Sequence, residues 1–398
     1  MDSMLFATIV AITSVFGLGM TMALLGSVKL RLTRNLGIDD ARMGRLFSVY
    51  NFSNLIFVLL AGMLCDKMGF KAVAIMGYVL GALAIFLFGK ANKYGAAILG
   101  CVLLGIGGMF MNSVGNTMLT YESILFEDAS TSNNFGNVFF GIGAFCVPLI
   151  TAWLFRKTTY AATLTALACI ILVPVVFAIF GTFPEPPTGF SMAKAAELIM
   201  QPHIILGALA LMCYIALEVS MGGWITTYMS HLGATEERAS RALSGFWVAV
   251  MAGRLLASLV VARIFIGMGT SLDLAGPWFI LGLGLVAAIT LFSMVKIHAL
   301  GAASLAVIIT GLVFAPVFPT VIGVTLSRTA AELRGSAFGL IFAVGLVGAI
   351  FLPAWMGAIS SGEGRTIKDS MKVAGGTAVV LAVLALIMGL ALRAPVGG

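Results

Sequence analysis

Twelve apolar runs, each long enough to cross a lipid bilayer as a helix, follow one another along this 398-residue chain. A helix needs about 20 apolar residues to span the hydrocarbon core, where its backbone must satisfy its own hydrogen bonds. Only 10% of the residues are charged, against about a quarter in soluble proteins. We therefore expect an all-α membrane protein. The predicted spans cover residues 4–26, 44–65, 71–90, 95–119, 134–155, 161–183, 203–230, 241–265, 274–295, 299–326, 335–359 and 372–393.

A proline-rich stretch after the sixth run divides the spans into two sets of six, because Pro184, Pro186 and Pro187 cannot continue a helix. The two sets resemble each other. Residues of spans 4 and 5 recur in spans 10 and 11 at offsets of 205 or 206, namely Gly105 as Gly311, Gly143 as Gly348 and Pro148 as Pro353. A parallel repeat of six helices places the solute path between the halves, near mid-membrane. We expect six-helix bundles over 1–183 and 203–398, joined by a linker over 184–202.

The segment between spans 2 and 3 reads GMLCDKMGFK, from Gly62 to Lys71. Asp66 is suited to cap the next helix, Gly69 permits a tight turn, and the two lysines suit lipid headgroups. The corresponding segment of the second half begins near Arg263, keeps a basic residue and lacks the acid.

The first of these segments resembles the signature of the major facilitator superfamily, G-x-L-a-D-+-x-G-+-+, with Phe70 standing where a basic residue is usual. The resemblance covers nearly the whole chain. It implies twelve helices in two six-helix bundles, with both termini and the linker over 184–202 in the cytoplasm. It also implies an inner gate, to which we assign Gly62, Asp66, Lys67, Gly69, Lys71, Pro316 and Pro319.

The basic residues of the loops favour the opposite orientation. With cytoplasmic termini, the inner loops and C-terminus hold seven Lys and Arg residues, and the outer loops hold fifteen. The positive-inside rule expects the reverse. We retain the orientation of the family, because its signature loop has a mechanical role on the cytoplasmic side. Five of the outer residues fall in the predicted first loop: Lys29, Arg31, Arg34, Arg42 and Arg45.

Two ionisable residues, Glu218 in span 7 and Arg254 in span 8, are predicted near mid-membrane. Such a charge costs about 2.5 to 3.5 kcal/mol at a helix centre, so it normally faces a cavity or a partner. Both lie 13 or 14 positions from the turn between the two spans, hence at similar depth. We predict that they pair and carry cation coupling. The alternatives are a structural carboxylate for Glu218 and helix packing or an inner gate for Arg254.

Two motifs refine the resemblance. Tyr214-x-x-x-Glu218-x-Ser-x-Gly-x-Trp224-x-x-x-Tyr228 in span 7 and FAPVFPT, residues 314–320, in span 10 resemble the fucose, galactose and glucose symporters and related sodium-coupled glucose carriers. This branch implies a sugar as solute and H⁺ or Na⁺ as coupling cation. The chain lacks the acids that the proton-coupled fucose members carry in spans 1 and 4. Coupling through Glu218 and uniport therefore both stay open.

Asparagines supply the candidate sugar contacts of the first half. Asn112 and Asn116 lie one turn apart in span 4, and their amides match sugar hydroxyls as donors and acceptors. The alternative is hydrogen bonding between helices. Aromatic residues could stack on a sugar face or anchor helix ends at the interface. The predicted solute contacts are Asn112, Asn116, Asn137, Tyr214, Trp224, Tyr228 and Trp247.

We therefore expect a secondary transporter that moves a monosaccharide or similar small polar solute by alternating access. An efflux antiporter for amphipathic compounds, which 22 methionines would suit, and a non-transporting membrane sensor are the alternatives. The sequence has no Ser, His and Asp set, no paired carboxylates and no Cys or His cluster, so we expect neither an enzyme nor a cofactor. It has no nucleic-acid patch either. We expect a monomer in the lipid bilayer of the cell membrane.

Overall fold

The computed structural model describes residues 3–184, 191–360 and 362–392, without the side chains of residues 3, 40 and 41. Part of the predicted linker, residues 185–190, and the C-terminal Arg393 lie outside the described residues. Twelve helical segments among the described residues are long and apolar enough to cross a membrane. The prediction of an all-α protein with twelve spans is therefore confirmed.

Sixteen helices build the twelve spans and the linker in the described ranges. They are α1 (Ser3–Leu36), α2 (Asp40–Met68), α3 (Phe70–Lys90), α4 (Tyr94–Met118), α5 (Ala129–Lys157), α6 (Tyr160–Leu172), α7 (Pro174–Phe180), α8 (Met192–Glu197), α9 (Pro202–His231), α10 (Glu236–Leu256), α11 (Ala262–Gly267), α12 (Leu272–Lys296), α13 (Leu300–Phe314), α14 (Val317–Leu326), α15 (Arg334–Ser360) and α16 (Ile367–Ala391).

Three spans consist of two helices each. Proline, which has no backbone N–H to donate, separates α6 from α7 at Pro174 and α13 from α14 at Pro316. A wide π-helical turn, Ala257–Val261, joins α10 to α11. The break in the tenth span falls inside the motif at residues 314–320. It leaves carbonyl groups there without a helical partner.

Helix α1 continues ten residues beyond its predicted end at residue 26, to Leu36. The basic residues predicted to form the first outer loop therefore lie on helices: Lys29, Arg31 and Arg34 on α1, and Arg42 and Arg45 on α2. The loop prediction was wrong because Lys, Arg and Leu are good helix formers, so the helix continues past the apolar run. At 1.5 Å per residue, α1 is about 50 Å long and exceeds the bilayer core.

The chain forms two compact units. The first comprises Met1–Glu127, Phe139–Ala195 and Ala331–Gly339. Within it, α4 packs against α1, α2 and α3, and α3 packs against α6. Small residues allow the closest of these approaches, since a Cβ atom on Gly107 of α4 would lie 2.5 Å from the backbone nitrogen of Gly81 in α3.

The second unit comprises Asp128–Val138, Ala196–Ala330 and Leu340–Gly398. Within it, α12 packs along α16, α10 packs against α13, and α9 packs against α16, α10 and α14. The first residues of α5 thus belong to the second unit, although the rest of that helix belongs to the first. The buried aromatic side chains of Tyr214, Phe246 and Phe314 fill the interior of this unit.

Candidate functional site

A buried ion pair joins α9 to α10 in the second unit. Arg254 Nη2 lies 3.4 Å from Glu218 Oε1, and the Tyr214 hydroxyl donates to the same carboxylate oxygen at 2.6 Å. The Arg254 side chain is 3% exposed and that of Glu218 is 16% exposed. The two residues therefore pair as predicted, and part of the carboxylate stays exposed.

The guanidinium of Arg254 also binds the backbone of two further helices. Nη1 donates to the carbonyl oxygen of Asn137 in α5 at 3.1 Å, and Nε donates to that of Ala315 at 3.3 Å. Ala315 lies at the break between α13 and α14. In a continuous helix its carbonyl would accept from residue 319, which is Pro319 and has no N–H. The proline thus leaves an acceptor that the arginine takes.

A glycine next to Arg254 permits this contact. A Cβ atom on Gly253 would lie 2.5 Å from the Leu312 carbonyl oxygen and 2.6 Å from Ala315 Cβ, so only glycine lets α10 approach the break so closely. Arg254 therefore connects Glu218 and Tyr214 of α9 with α5 and with the broken tenth span. A change in the charge of Glu218 therefore alters the electrostatic interaction of Arg254, a residue that links four helices.

Two of the predicted solute contacts of the second unit belong to this network, Tyr214 through its hydroxyl and Asn137 through its carbonyl. The other three lie farther from Glu218 or are engaged elsewhere. The Tyr228 hydroxyl donates to the Met294 carbonyl oxygen at 2.8 Å. The Trp224 ring packs near Gly357, and the Trp247 ring packs near Gly222, one turn beyond Glu218.

The predicted asparagine pair of α4 lies inside the first unit. Asn116 Nδ2 donates to Asn112 Oδ1 at 2.8 Å and to the Asn112 carbonyl oxygen at 3.1 Å. Both side chains are buried. Each amide therefore orients the other, and Gly115 on the same helix packs against Val15 of α1.

Asp66 lies in the last turn of α2 and caps a helix far away in the sequence. Its Oδ1 accepts from the Gly335 N–H at 2.8 Å and its Oδ2 from the Ser336 N–H at 2.6 Å, at the start of α15. The prediction that Asp66 caps α3 was wrong, because Gly69 precedes α3 with φ +82° and without a side-chain cap. A carboxylate at a helix N-terminus is stabilised by the unpaired N–H groups there.

The absence of a side chain at Gly335 makes this capping possible. A Cβ atom on Gly335 would lie 2.7 Å from Asp66 Oδ1, and it would also meet the carbonyl oxygen of Gly62. Gly62 and Gly335 therefore let α2 and α15 touch through their backbones. Nothing in the spacing of the signature loop indicated this distant partner.

The two lysines of the signature segment are both exposed. Lys71 Nζ also donates to the Ile179 carbonyl oxygen at 2.6 Å, at the end of α7. A cation is favoured at a helix C-terminus, where carbonyl groups have no helical partner. The expectation that both lysines suit lipid headgroups stays a prediction.

The residues around the start of α15 fix that helix to the end of α4. Arg334 Nη1 donates to the Thr120 carbonyl oxygen at 3.1 Å, and its guanidinium carbon lies 5.0 Å from the centre of the Tyr121 ring. The Tyr121 hydroxyl donates to the Ala331 carbonyl oxygen at 3.2 Å. Burial raises the pKa of Tyr121 to about 12, so the hydroxyl stays protonated as a donor at neutral pH.

A second carboxylate repeats the role of Asp66. Asp273, in the first turn of α12, accepts from the N–H groups of Ala129 and Ser130 at 3.0 and 2.9 Å and from the Ser130 hydroxyl at 2.5 Å. Asp128 reciprocates, since its Oδ2 accepts from the Asp273 N–H at 2.8 Å. The expectation that the second half lacks the acid was therefore wrong.

The sequence contained a signal for this second cap. Asp273 follows Asp66 by 207 residues, and the capped Gly335 and Ser336 follow Ala129 and Ser130 by 206. These offsets nearly match those of the repeated glycines and proline. The acid was missed because it lies after the turn between spans 8 and 9, whereas Asp66 lies before the equivalent turn.

Residues 4–353 match the family model described as Major Facilitator Superfamily. The chain belongs to the major facilitator superfamily. The resemblance inferred from the signature segment is therefore confirmed. Among curated relatives, the "Glucose/galactose transporter" of Brucella abortus biovar 1 (strain 9-941) is 25% identical over 329 residues, which cover 76% of this chain and 75% of the relative.

A second superfamily relative, "Protein TsgA" of Salmonella arizonae, is 23% identical over 265 residues, covering 61% of this chain and 67% of the relative. Two solved structures share the superfamily fold. The E. coli fucose:proton symporter FucP matches with a TM-score of 0.79 at 16% identity, over 97% of this chain and 99% of that one. The proton:xylose symporter XylE matches with a TM-score of 0.74 at 14% identity, over 98% of this chain and 96% of that one.

Proposed function

We propose that this chain is a secondary transporter that moves a monosaccharide or a similar small polar solute across the cell membrane by alternating access. The proposal rests on the buried network of Glu218, Arg254 and Tyr214. A charged pair in the middle of a membrane-spanning bundle costs free energy, so such residues usually mark the path of a solute or an ion. The sugar transporters among the relatives support sugar as the solute class. The proposal also includes three further features. The protein is a monomer with cytoplasmic termini, its two halves are divided at residues 184–202, and it catalyses no reaction.

The network offers a way to couple a cation to movement. Neutralisation of Glu218 by H⁺, or its occupation by Na⁺, removes the charge that Arg254 faces. Arg254 then keeps its carbonyl acceptors on Asn137 and Ala315, of which the second lies at the break in the tenth span. The cation thus favours one arrangement of α9 against α13 and α14. A ligand shifts a conformational equilibrium only through such differential binding.

The solute would meet amide and hydroxyl groups on its path. We infer that the solute contacts Asn112 and Asn116 in the first half, and Asn137 and Tyr214 in the second half. For Trp224, Tyr228 and Trp247 we infer ring contacts, since the Tyr228 hydroxyl already has a carbonyl acceptor. Sugars fit such sites because each hydroxyl both donates and accepts.

Counterflow in proteoliposomes tests the transport proposal. Vesicles preloaded with unlabelled hexose should transiently concentrate labelled hexose when they contain the protein, and vesicles without the protein should not. Export of amphipathic compounds without hexose counterflow would favour the antiporter, and no movement of either class would favour the sensor.

A carboxylate variant tests the proposed gate of Gly62, Asp66, Lys67, Gly69, Lys71, Pro316 and Pro319. Asp66→Asn replaces a charged acceptor of two N–H groups by an amide that accepts through one oxygen. If the Asp66 cap on α15 exists only in the outward-facing state, the loss of about 1 to 1.4 kcal/mol shifts the population toward the inward-facing state roughly five- to tenfold.

Labelling at Lys67→Cys reports this shift and the orientation. With Cys65, Cys101, Cys146, Cys169 and Cys213 replaced, an impermeant maleimide should react only from the cytoplasmic side, and faster in the Asp66→Asn background. Asp39→Asn is the matched control, because Asp39 caps only its own helix α2 through Arg42 N–H. Labelling from outside intact cells would contradict the orientation, and equal rates in both backgrounds would contradict the gate.

A further inference from the structure

The interior of the first unit holds an asparagine whose hydrogen-bonding capacity is unused. Asn54 lies at the middle of α2, 14 residues from either end, and is 1% exposed. Within the ranges that the structure describes, neither its Oδ1 nor its Nδ2 has a hydrogen-bond partner. One turn earlier, Tyr50 is 4% exposed and its hydroxyl also lacks a partner among those residues. Buried polar atoms left in this state destabilise a protein.

A second buried tyrosine of the same unit shows the contrast. The Tyr78 hydroxyl lies within 2.9 Å of both Thr13 Oγ1 and Ser14 Oγ, and donates to the Val10 carbonyl oxygen at 3.1 Å. The first unit thus satisfies a tyrosine that joins α3 to α1. Tyr50 and Asn54 differ because, among the described residues, no hydrogen bond within 3.5 Å satisfies their polar atoms, although the Tyr50 hydroxyl faces the Asn54 amide.

Glycines let the backbone of α4 approach α2 and α1 closely beside the Asn54 amide. A Cβ atom on Gly105 of α4 would lie 3.1 Å from Asn54 Oδ1, and one on Gly108 would lie 2.9 Å from Thr21 Oγ1 of α1. The Tyr50 hydroxyl faces both Asn54 and Thr21. The polar atoms therefore meet where α1, α2 and α4 come together.

A neighbouring hydrogen bond fixes the backbone of α2 beside Asn54. Ser53 Oγ donates to the Val102 carbonyl oxygen at 2.9 Å, which holds α2 against α4. Asn54 is the next residue on α2, so its backbone is held by a contact that does not use its amide. A group on a backbone that is already held in place loses less freedom when it binds a ligand.

The two polar atoms of the Asn54 amide determine which chemical group can bind there. An amide with both Oδ1 and Nδ2 open needs a group that donates and accepts at the same point, as a hydroxyl does. A monovalent cation would leave the Nδ2 donor unpaired, and an apolar compound would pair neither atom. Asn112 and Asn116 differ, because the side-chain amide of Asn116 already donates a hydrogen bond to that of Asn112.

We propose that Tyr50 and Asn54 bind a hydroxyl group of the carried solute. The inference rests on the proposed function, since it needs a sugar or polyol as cargo, and it adds a solute position on α2 to those on α4. The pair is closed from water in this state, so we expect the solute to reach it when the contact of Thr21 with Gly108 opens.

Binding of a hexose and its monodeoxy analogues to the purified protein, by titration calorimetry in nanodiscs, tests the proposal. In the wild type, one analogue should bind about tenfold more weakly than the parent hexose. In Asn54→Leu, which keeps the side-chain size, the affinity for the parent hexose should fall about tenfold. The affinity for that analogue should not change, so the variant should bind the two sugars equally well. Tyr50→Phe, which removes one hydroxyl, should reduce the same discrimination. Asn51→Leu, on the exposed face of the same helix, should behave as the wild type.

Thermal unfolding of the same samples separates binding from folding. Wild-type affinities in Asn54→Leu and Tyr50→Phe, with raised unfolding temperatures, would mean that the atoms hold only a resident water or nothing, and would overturn the proposal. An equal loss of affinity for every analogue would assign Asn54 a structural role and overturn it as well. Absence of any hexose or polyol binding by the wild type would overturn the proposed function together with this inference, whereas the first two outcomes overturn the inference alone.

Discussion

Replacing Glu218 by Gln should abolish accumulation of solute against its gradient while counterflow continues. Gln keeps the acceptor for the Tyr214 hydroxyl, but it cannot take up a proton or hold a sodium ion by charge. The cation then binds neither conformation of the transporter more tightly than the other, so its gradient cannot drive the solute. The solute only equilibrates across the membrane. Accumulation driven by an imposed H⁺ or Na⁺ gradient, measured beside counterflow in the same vesicles, gives the result.

The matched control for this variant is Glu237→Gln. Glu237 lies on the exposed face of α10, where it pairs with Arg241 at 3.2 Å. The same chemical change there should leave accumulation at the wild-type level. Full accumulation by Glu218→Gln would remove the acid from the coupling mechanism and favour a structural carboxylate.

Replacing Arg254 by Met should destabilise the protein more than any other single change considered above. The variant leaves the Glu218 carboxylate without its cation and removes the guanidinium bonds to the carbonyl groups of Asn137 and Ala315. Breaking a buried pair by removing one partner typically costs about 3 to 5 kcal/mol, because an uncompensated buried charge remains. We expect a large fall in the unfolding temperature of the purified protein.

The double variant Glu218→Gln with Arg254→Met should recover much of that stability without recovering accumulation. The unfolding temperature of Arg254→Lys should lie between those of the wild type and Arg254→Met. Lysine keeps the positive charge, but its ammonium lacks the planar guanidinium that binds several acceptors at once. Arg241→Met is the control, because an exposed pair contributes only about 0 to 1 kcal/mol. Additive effects of the two single substitutions in a double-mutant cycle would show that Glu218 and Arg254 do not interact.

The similar height of Glu218 and Arg254, which their ion pair requires, could be predicted because it follows from local rules. Each residue of a helix advances the chain by about 1.5 Å, so counting from a shared turn gives the relative height of residues on neighbouring helices. The same arithmetic predicted the twelve spans. It failed at the end of α1, where the helix continues beyond the apolar run to Leu36.

The partners of Asp66 and Asp273 could not be predicted from the segments that contain them. Each carboxylate caps a helix that begins more than 140 residues away, and the contact depends on how close two backbones come. Spacing within a loop carries no information on that distance. Only the internal repeat offered a hint, because a contact made in one half is expected again in the other.

What the sequence by itself determined is the number of spans, the repeated glycine and proline positions, and the similar height of Glu218 and Arg254, because hydrophobic length and helical rise are properties of consecutive residues. Tertiary structure alone decided which polar groups are used. It gave Arg254 the carbonyl that Pro319 leaves free at Ala315, and it bonded Asn116 to Asn112. It left Asn54 without a partner in the described ranges. A hydrogen bond requires atoms within about 3 Å at a favourable angle, and between different helices only their packing brings two groups to that distance.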